Sequence, residues 1–139
     1  MYRFGTAFSW ATLMKLGIPY VVFFFTPIAW SLVGIGVLVF ADVFTGIRAA
    51  KKRGDRIHSR TMGRTISKMI FYTLAILLSR VMELAFIPWL PIAQLTSGYI
   101  AVVEFKSNME NIGEITNTDI WNHLKEKIEQ TFKRSGGVE

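Results

Sequence analysis

The chain has 139 residues, 51% of them hydrophobic, with 16 Lys and Arg against 10 Asp and Glu and no cysteine. So much apolar side chain in so short a chain argues against one small water-soluble domain, and the missing cysteines exclude disulfides, thiol nucleophiles and cysteine-ligated metal. The net charge of +6 raises nucleic acid as a partner, yet the cations sit at the ends of apolar runs, which favours anionic lipid headgroups instead.

The first apolar segment covers about residues 4–25 and holds Trp10, Tyr20 and Phe23-Phe24-Phe25, with Lys15 in its middle. That lysine, the lack of a small-x-small cleavage site and the direct continuation into a second apolar run argue against a removable signal peptide. Pro27 disfavours helix at Thr26, which predicts a break or kink there; a separate first helix is the favoured reading, with a kinked single helix or an interfacial first segment as the alternative. The second segment, about 27–48, starts with proline in a tolerated first-turn position. From Leu16 to Ala41 there is no Asp, Glu, Lys, Arg or His, and a bilayer core of about 30 Å needs only about 20 apolar helical residues.

A basic loop, 49–63, follows. The stretch from Arg48 to Lys68 holds Arg48, Lys51, Lys52, Arg53, Arg56, Arg60, Arg64 and Lys68, with Asp55 as its one acid. Positive charge beside an apolar span marks the cytoplasmic side. Lys51, Lys52, Arg53, Arg56 and Arg60 are therefore expected to meet lipid headgroups. A third segment, about 64–86, leads through the uncharged connection Ile87-Pro88-Trp89-Leu90-Pro91, which is expected to be a tight turn at the far membrane face. The fourth segment covers about 91–107.

The tail is polar after Asn111. Thr118 or Asp119 can cap a helix running to Lys133, and Ile120, Trp121, Leu124, Ile128 and Phe132 recur at helical spacing. Backed by Lys125, Lys127 and Lys133, that stripe suits the cytoplasmic leaflet, a neighbouring subunit, or a solvated helix with one sticky face. The expected class is an all-α integral membrane protein with three or four transmembrane helices and a cytoplasmic amphipathic C-terminal helix. It divides into a transmembrane domain, 1–112, and a tail, 113–139. Four spans place the N-terminus inside; three place it outside.

Ionisable residues within apolar segments are costly and raise functional hypotheses. Asp42 closes the second segment, for helix-end packing or as a partner for Arg48. Arg80 and Glu83, three apart, share a helix face and can pair within it. Glu104, Ser107, Asn108 and Asn111 fall at i, i+3, i+4 and i+7 and form one polar stripe. That stripe faces water in a lone helix; in an oligomer it bonds across helices or lines an aqueous lumen. No enzymatic or cofactor-binding constellation is evident. His58 and His123 lack acidic neighbours at ligand spacing, Gly34-x-Gly36 lacks a dinucleotide loop's third glycine, and Ser59 and Ser107 have no base nearby in sequence.

The stretch Asp42-Val43-Phe44-Thr45-Gly46-Ile47-Arg48, with the lysine-rich linker to Ser59 and Lys68 opening the next span, resembles the toxin-secretion and phage-lysis holin family. So does Glu104-Phe105-Lys106-Ser107-Asn108-Met109-Glu110-Asn111, which is similar to that family's Glu-x-x-Ser-x-x-Glu-Asn signature. The resemblance covers about residues 28–128. It departs where many relatives carry a proline after the second motif and this chain has Ile115-Thr116-Asn117-Thr118. It implies a multi-pass phage or prophage protein that oligomerises in the host inner membrane and permeabilises it. A muralytic enzyme (an endolysin) or another exported protein would be the cargo. Under that resemblance Asp42, Thr45, Gly46, Ser59, Lys68, Glu104, Ser107, Glu110 and Asn111 serve the family motifs and assembly. A non-lytic oligomeric scaffold or channel is the competing expectation.

Overall fold

The structure, a computed structural model, describes residues 10–55 and 60–135. Four helices make up the described residues: α1 (Trp10–Arg53), α2 (Arg60–Ala85), α3 (Ile92–Thr116) and α4 (Ile120–Ser135). The 44 residues of α1 span about 66 Å at 1.5 Å per residue. Two helices, over Gly17–Arg53 and Gly63–Ala85, are long and apolar enough to cross a membrane.

The expected break at Thr26–Pro27 is absent, and α1 runs through both Pro19 and Pro27. The first two apolar segments are one helix. Proline removes one backbone hydrogen bond, and the next-residue rule is local. A helix packed among others can have its freed carbonyls served from elsewhere. Here the Thr26 hydroxyl donates to the Val22 carbonyl at 2.7 Å, and Arg80 of α2 reaches the same stretch of backbone.

Helix directions follow from the cross-helix pairs. Lys68 meets Asp42 while Arg80 meets Phe24, so α2 runs antiparallel to α1. Ser79 pairs with Thr96 at 2.8 Å and Tyr72 with Glu104, so α3 turns back along α2. Asp42 meets Ser107 and Lys52 meets Glu114, so α3 lies parallel to α1. The turn between α2 and α3 falls at Phe86–Pro91, as the two prolines predict.

The shared core is small: Ile28, Ile35 and Val39 of α1, Ile76 of α2, Ala93 and Ile100 of α3, with Phe24, Leu32, Tyr72, Ala75 and Leu77 packed around it. Most large apolar side chains point outward instead. Trp30 is 83% exposed and Phe40 76%. In water such a surface would drive aggregation; in hydrocarbon it is the compatible exterior.

Past the fourth apolar segment, α3 continues through the polar stretch to Thr116. Asn117 then adopts a left-handed conformation at φ 55° as the C-cap, the role such a residue fills at helix ends. The chain doubles back closely enough that Thr118 N–H donates to the Gly113 carbonyl at 3.0 Å. Asp119 then caps α4, its carboxylate accepting from the Asn122 N–H at 3.2 Å.

Gly113 makes that corner possible, since a Cβ there would stand 2.7 Å from the Thr118 carbonyl oxygen. Gly113→Val should force the corner open at a cost of about 1–3 kcal/mol. Hydrogen exchange of the 118–124 amides should rise while the core of α3 stays protected. Unchanged exchange at the corner would refute the close-approach argument.

Candidate functional site

Asp42, Lys68, Glu104, Asn108 and Asn111 gather where α1, α2 and α3 converge toward the basic end. Each helix brings its share by register: Asp42, Thr45 and Gly46 at i, i+3 and i+4 of α1, Lys68 and Tyr72 at i and i+4 of α2, and the Glu104–Asn111 stripe of α3. Glu104 is fully buried. Lys68 Nζ stands between two carboxylates, 3.2 Å from Asp42 Oδ2 and 3.1 Å from Glu104 Oε1. Tyr72 donates its hydroxyl to Glu104 Oε1 at 2.6 Å.

The other Asp42 oxygen accepts from Ser107 Oγ at 2.6 Å and Asn111 Nδ2 at 3.0 Å. Asn108 Nδ2 donates to the Leu38 carbonyl of α1 at 3.0 Å and to the Glu104 carbonyl at 2.8 Å. Thr45 returns its hydroxyl to the Ala41 carbonyl at 2.9 Å and lies 3.3 Å from the Asn111 amide. Gly46 leaves room for that amide, which a Cβ would meet at 3.5 Å. Among the described residues, no buried side-chain nitrogen or oxygen lacks a hydrogen-bond partner. The partners of Glu104, Ser107 and Asn111 all lie within one chain.

Two carboxylates share one ammonium, so the seam carries one net negative charge with every ion in the set hydrogen-bonded. Such a set holds helices in register and gives little net stability over an apolar equivalent. Its chemistry is association. Ser107 faces a carboxylate with no imidazole between them, and no three His, Asp or Glu among the described residues could hold a metal.

Other expected residues lie elsewhere. Arg48 does not pair with Asp42; its guanidinium lies 4.6 Å over the Phe44 ring. Asp42 is instead claimed by Lys68, whose helix passes directly beside it. Glu110 is outside the seam, pairing with Lys106 at 3.5 Å on the exposed side of α3. Lys52 donates to the Glu114 carbonyl at 2.8 Å, the Ile115 carbonyl at 3.0 Å and Asn117 Oδ1 at 2.6 Å. It thereby caps the C-terminal end of α3, where a cation is favoured by the helix dipole. Arg53 bridges Asp55 and Glu114. Two cations expected at lipid headgroups, Lys52 and Arg53, thus also have partners inside the chain, and both are exposed, as Lys51 is. Arg56, Ser59 and the Arg60 side chain lie outside the described residues.

At the opposite end, Arg80 and Glu83 are 5% and 8% exposed and bond to each other. Tyr72 is a seam contact that the sequence reading did not name, whereas Asn108 stood in the polar stripe and Lys52 among the cations of the loop. Tyr72 falls one helical turn from Lys68, which is the one signal that pointed to it.

A model described as the bacteriophage holin family matches residues 19–133 of this chain. No curated protein and no solved structure matches it.

Removing Lys68 strands the buried Glu104 carboxylate and the partly buried Asp42. Lys68→Met should destabilise the helical bundle by about 3–5 kcal/mol, read as a lowered unfolding midpoint in detergent. Adding Glu104→Gln should recover part of that loss, because only one buried charge then remains. Equal midpoints for Lys68→Met and the parent would show that the seam does not hold the helices.

Proposed function

This chain belongs to the bacteriophage holin family, and we propose that it oligomerises in a bacterial inner membrane and permeabilises it, releasing a muralytic enzyme or another protein cargo. The observation that carries this reading is the family match over most of a chain whose helices turn their large apolar side chains outward while Arg80, Glu83 and Glu104 are buried between them. Such a molecule needs no active site. It needs helices stable in lipid that can later present a polar face to water.

In this reading the protein is multi-pass, with the basic end of α1 and α2 and the tail on the cytoplasmic side, by the excess of Lys and Arg there. Lys51 and the remaining basic residues of the loop meet anionic headgroups. The exposed Ile128 and Phe132 of α4, flanked by Lys125 and Lys127, lie on the same leaflet. The permeable state forms when α1 and α3 part and their seam faces a lumen. Each seam hydrogen bond is then exchanged for one to water, at a net cost of only about 0.5–1.5 kcal/mol for a neutral pair.

One observation favours a second reading. The seam is satisfied within one chain, so a stable, closed subunit is compatible with a non-lytic scaffold or channel.

Induced expression separates the two. The lytic reading expects respiration to stop abruptly after a delay, with loss of membrane potential measured by a potential-sensitive dye. Sustained potential despite verified inner-membrane accumulation would establish the scaffold. Topology is checked separately by cysteine, which the chain otherwise lacks. Asp55→Cys and Thr131→Cys should resist impermeant maleimide in intact spheroplasts and react after lysis; labelling before lysis would reverse the orientation.

A further inference from the structure

Pro27 has no amide hydrogen, so the carbonyl that a helix residue at 27 would engage, that of Phe23, has no donor on its own helix. Arg80 stands there. Its Nη2 lies 3.5 Å from the Phe23 carbonyl oxygen and its Nε 3.3 Å from the Phe24 carbonyl oxygen. The guanidinium carbon also lies 5.8 Å from the Phe23 ring centroid. The third nitrogen, Nη1, bonds to Glu83 Oε1. Glu83 Oε2 in turn accepts from the Ala93 N–H at 3.1 Å. That amide belongs to the first turn of α3, where the N-cap residue is Pro91 and no side-chain cap is present.

We propose that Arg80 stands in for the hydrogen-bond donor that Pro27 lacks, and that Arg80 and Glu83 together form a clasp tying α1 at Pro27 to the first turn of α3. The clasp's position gives it a consequence. Every described side chain of α1 from Met14 to Phe23 is exposed, and packing against the bundle begins at Phe24 and Ile28. The clasp therefore grips α1 where it leaves its neighbours, and the arm before it is held by nothing else among the described residues. Opening the clasp leaves the Phe23 carbonyl and the Ala93 amide without partners and frees the arm to bend at Pro27. Glu83 cannot do this alone, being an acceptor. Lysine cannot replace Arg80, because one ammonium lacks the planar fork that meets two carbonyls and a carboxylate together.

A double-mutant cycle tests the donor role. The neutral pair Arg80→Gln with Glu83→Gln avoids a stranded charge and should raise the unfolding constant in detergent about ten-fold, the worth of one charge-assisted hydrogen bond. Pro27→Ala restores an amide hydrogen for Phe23. In that background the same pair of substitutions should cost markedly less, about two- to three-fold. The lost Ala93 contact is common to both backgrounds and cancels. Strictly additive effects would overturn the proposal. If the neutral pair fails to fold, Arg80→Lys serves instead, and it should likewise be milder when combined with Pro27→Ala; an equal loss in both backgrounds would overturn the proposal again.

The clasp as a restraint on opening rests on the proposed permeabilising function and is read separately. Arg80→Lys should permeabilise cells earlier than the parent, and Arg80→Lys with Pro27→Ala should return the delay toward the parental value. Coupling in detergent without any change in timing would keep the clasp as a bond and overturn it as a restraint.

Discussion

The structure depends on one constraint: a polar group that no water can reach must find its partner inside the protein. In the seam this requirement acts on two carboxylates at once. Asp42 and Glu104 come from different helices, and Lys68, from a third, lies within 3.2 Å of both. Separating α2 from either neighbour would leave a carboxylate without its ammonium. The apolar core is too small to fix their relative rotation by packing alone, since its fully buried members are a few Ile, Val and Ala side chains. Hydrophobic residues elsewhere face outward, where lipid is as good a neighbour as another helix. The polar contacts therefore carry the specificity, and the apolar surface carries the environment.

The same accounting explains why proline and glycine are tolerated in long helices here. Pro27 frees a carbonyl that a guanidinium from α2 meets. Gly46 gives up a side chain where the Asn111 amide comes close to α1, and Gly113 does so where the chain folds back on itself after α3. Each irregularity has a partner already in place. The helix ends obey the same rule, with Glu83 at the start of α3 and Lys52 at its end.

How much of this was legible in the sequence depends on the reach of each rule. The α3 stripe was readable because helical spacing fixes which residues share a face. The same spacing says nothing about what that face meets, so a contact between subunits and one within the chain looked alike. α4 and its cap were readable because Asp119 and the stripe behind it are local signals. The break expected at Pro27 fails for the opposite reason. The rule is local, and the donor that relieves it lies 56 residues away from Phe24. Counting charge assigns Lys52 and Arg53 to lipid, and counting cannot see the helix end that lies beside them. The family signature in the Asp42–Lys68 and Glu104–Asn111 stretches was legible, and the match over residues 19–133 bears it out.

The two charged sites also fix a ruler along α1. Phe24 marks the clasp and Asp42 the seam, and about 18 residues of helix between them cover about 27 Å. A bilayer's hydrocarbon core is about 30 Å thick. In the proposed topology each site then sits near one interface. Between them α2 carries no charge from Met69 to Ser79, and α1 none from Phe25 to Ala41. Charge pairs placed at the two faces cost far less than the same pairs at the midplane. They also leave the apolar middle of the bundle held by shape alone. That middle is where Ser31 and Gly34 of α1 face Ser97 and Gly98 of α3, and the Ser97 hydroxyl there turns back to the Ala93 carbonyl of its own helix. Parting these two helices therefore meets its resistance at the two ends, and a change at either one acts on the whole length of the contact.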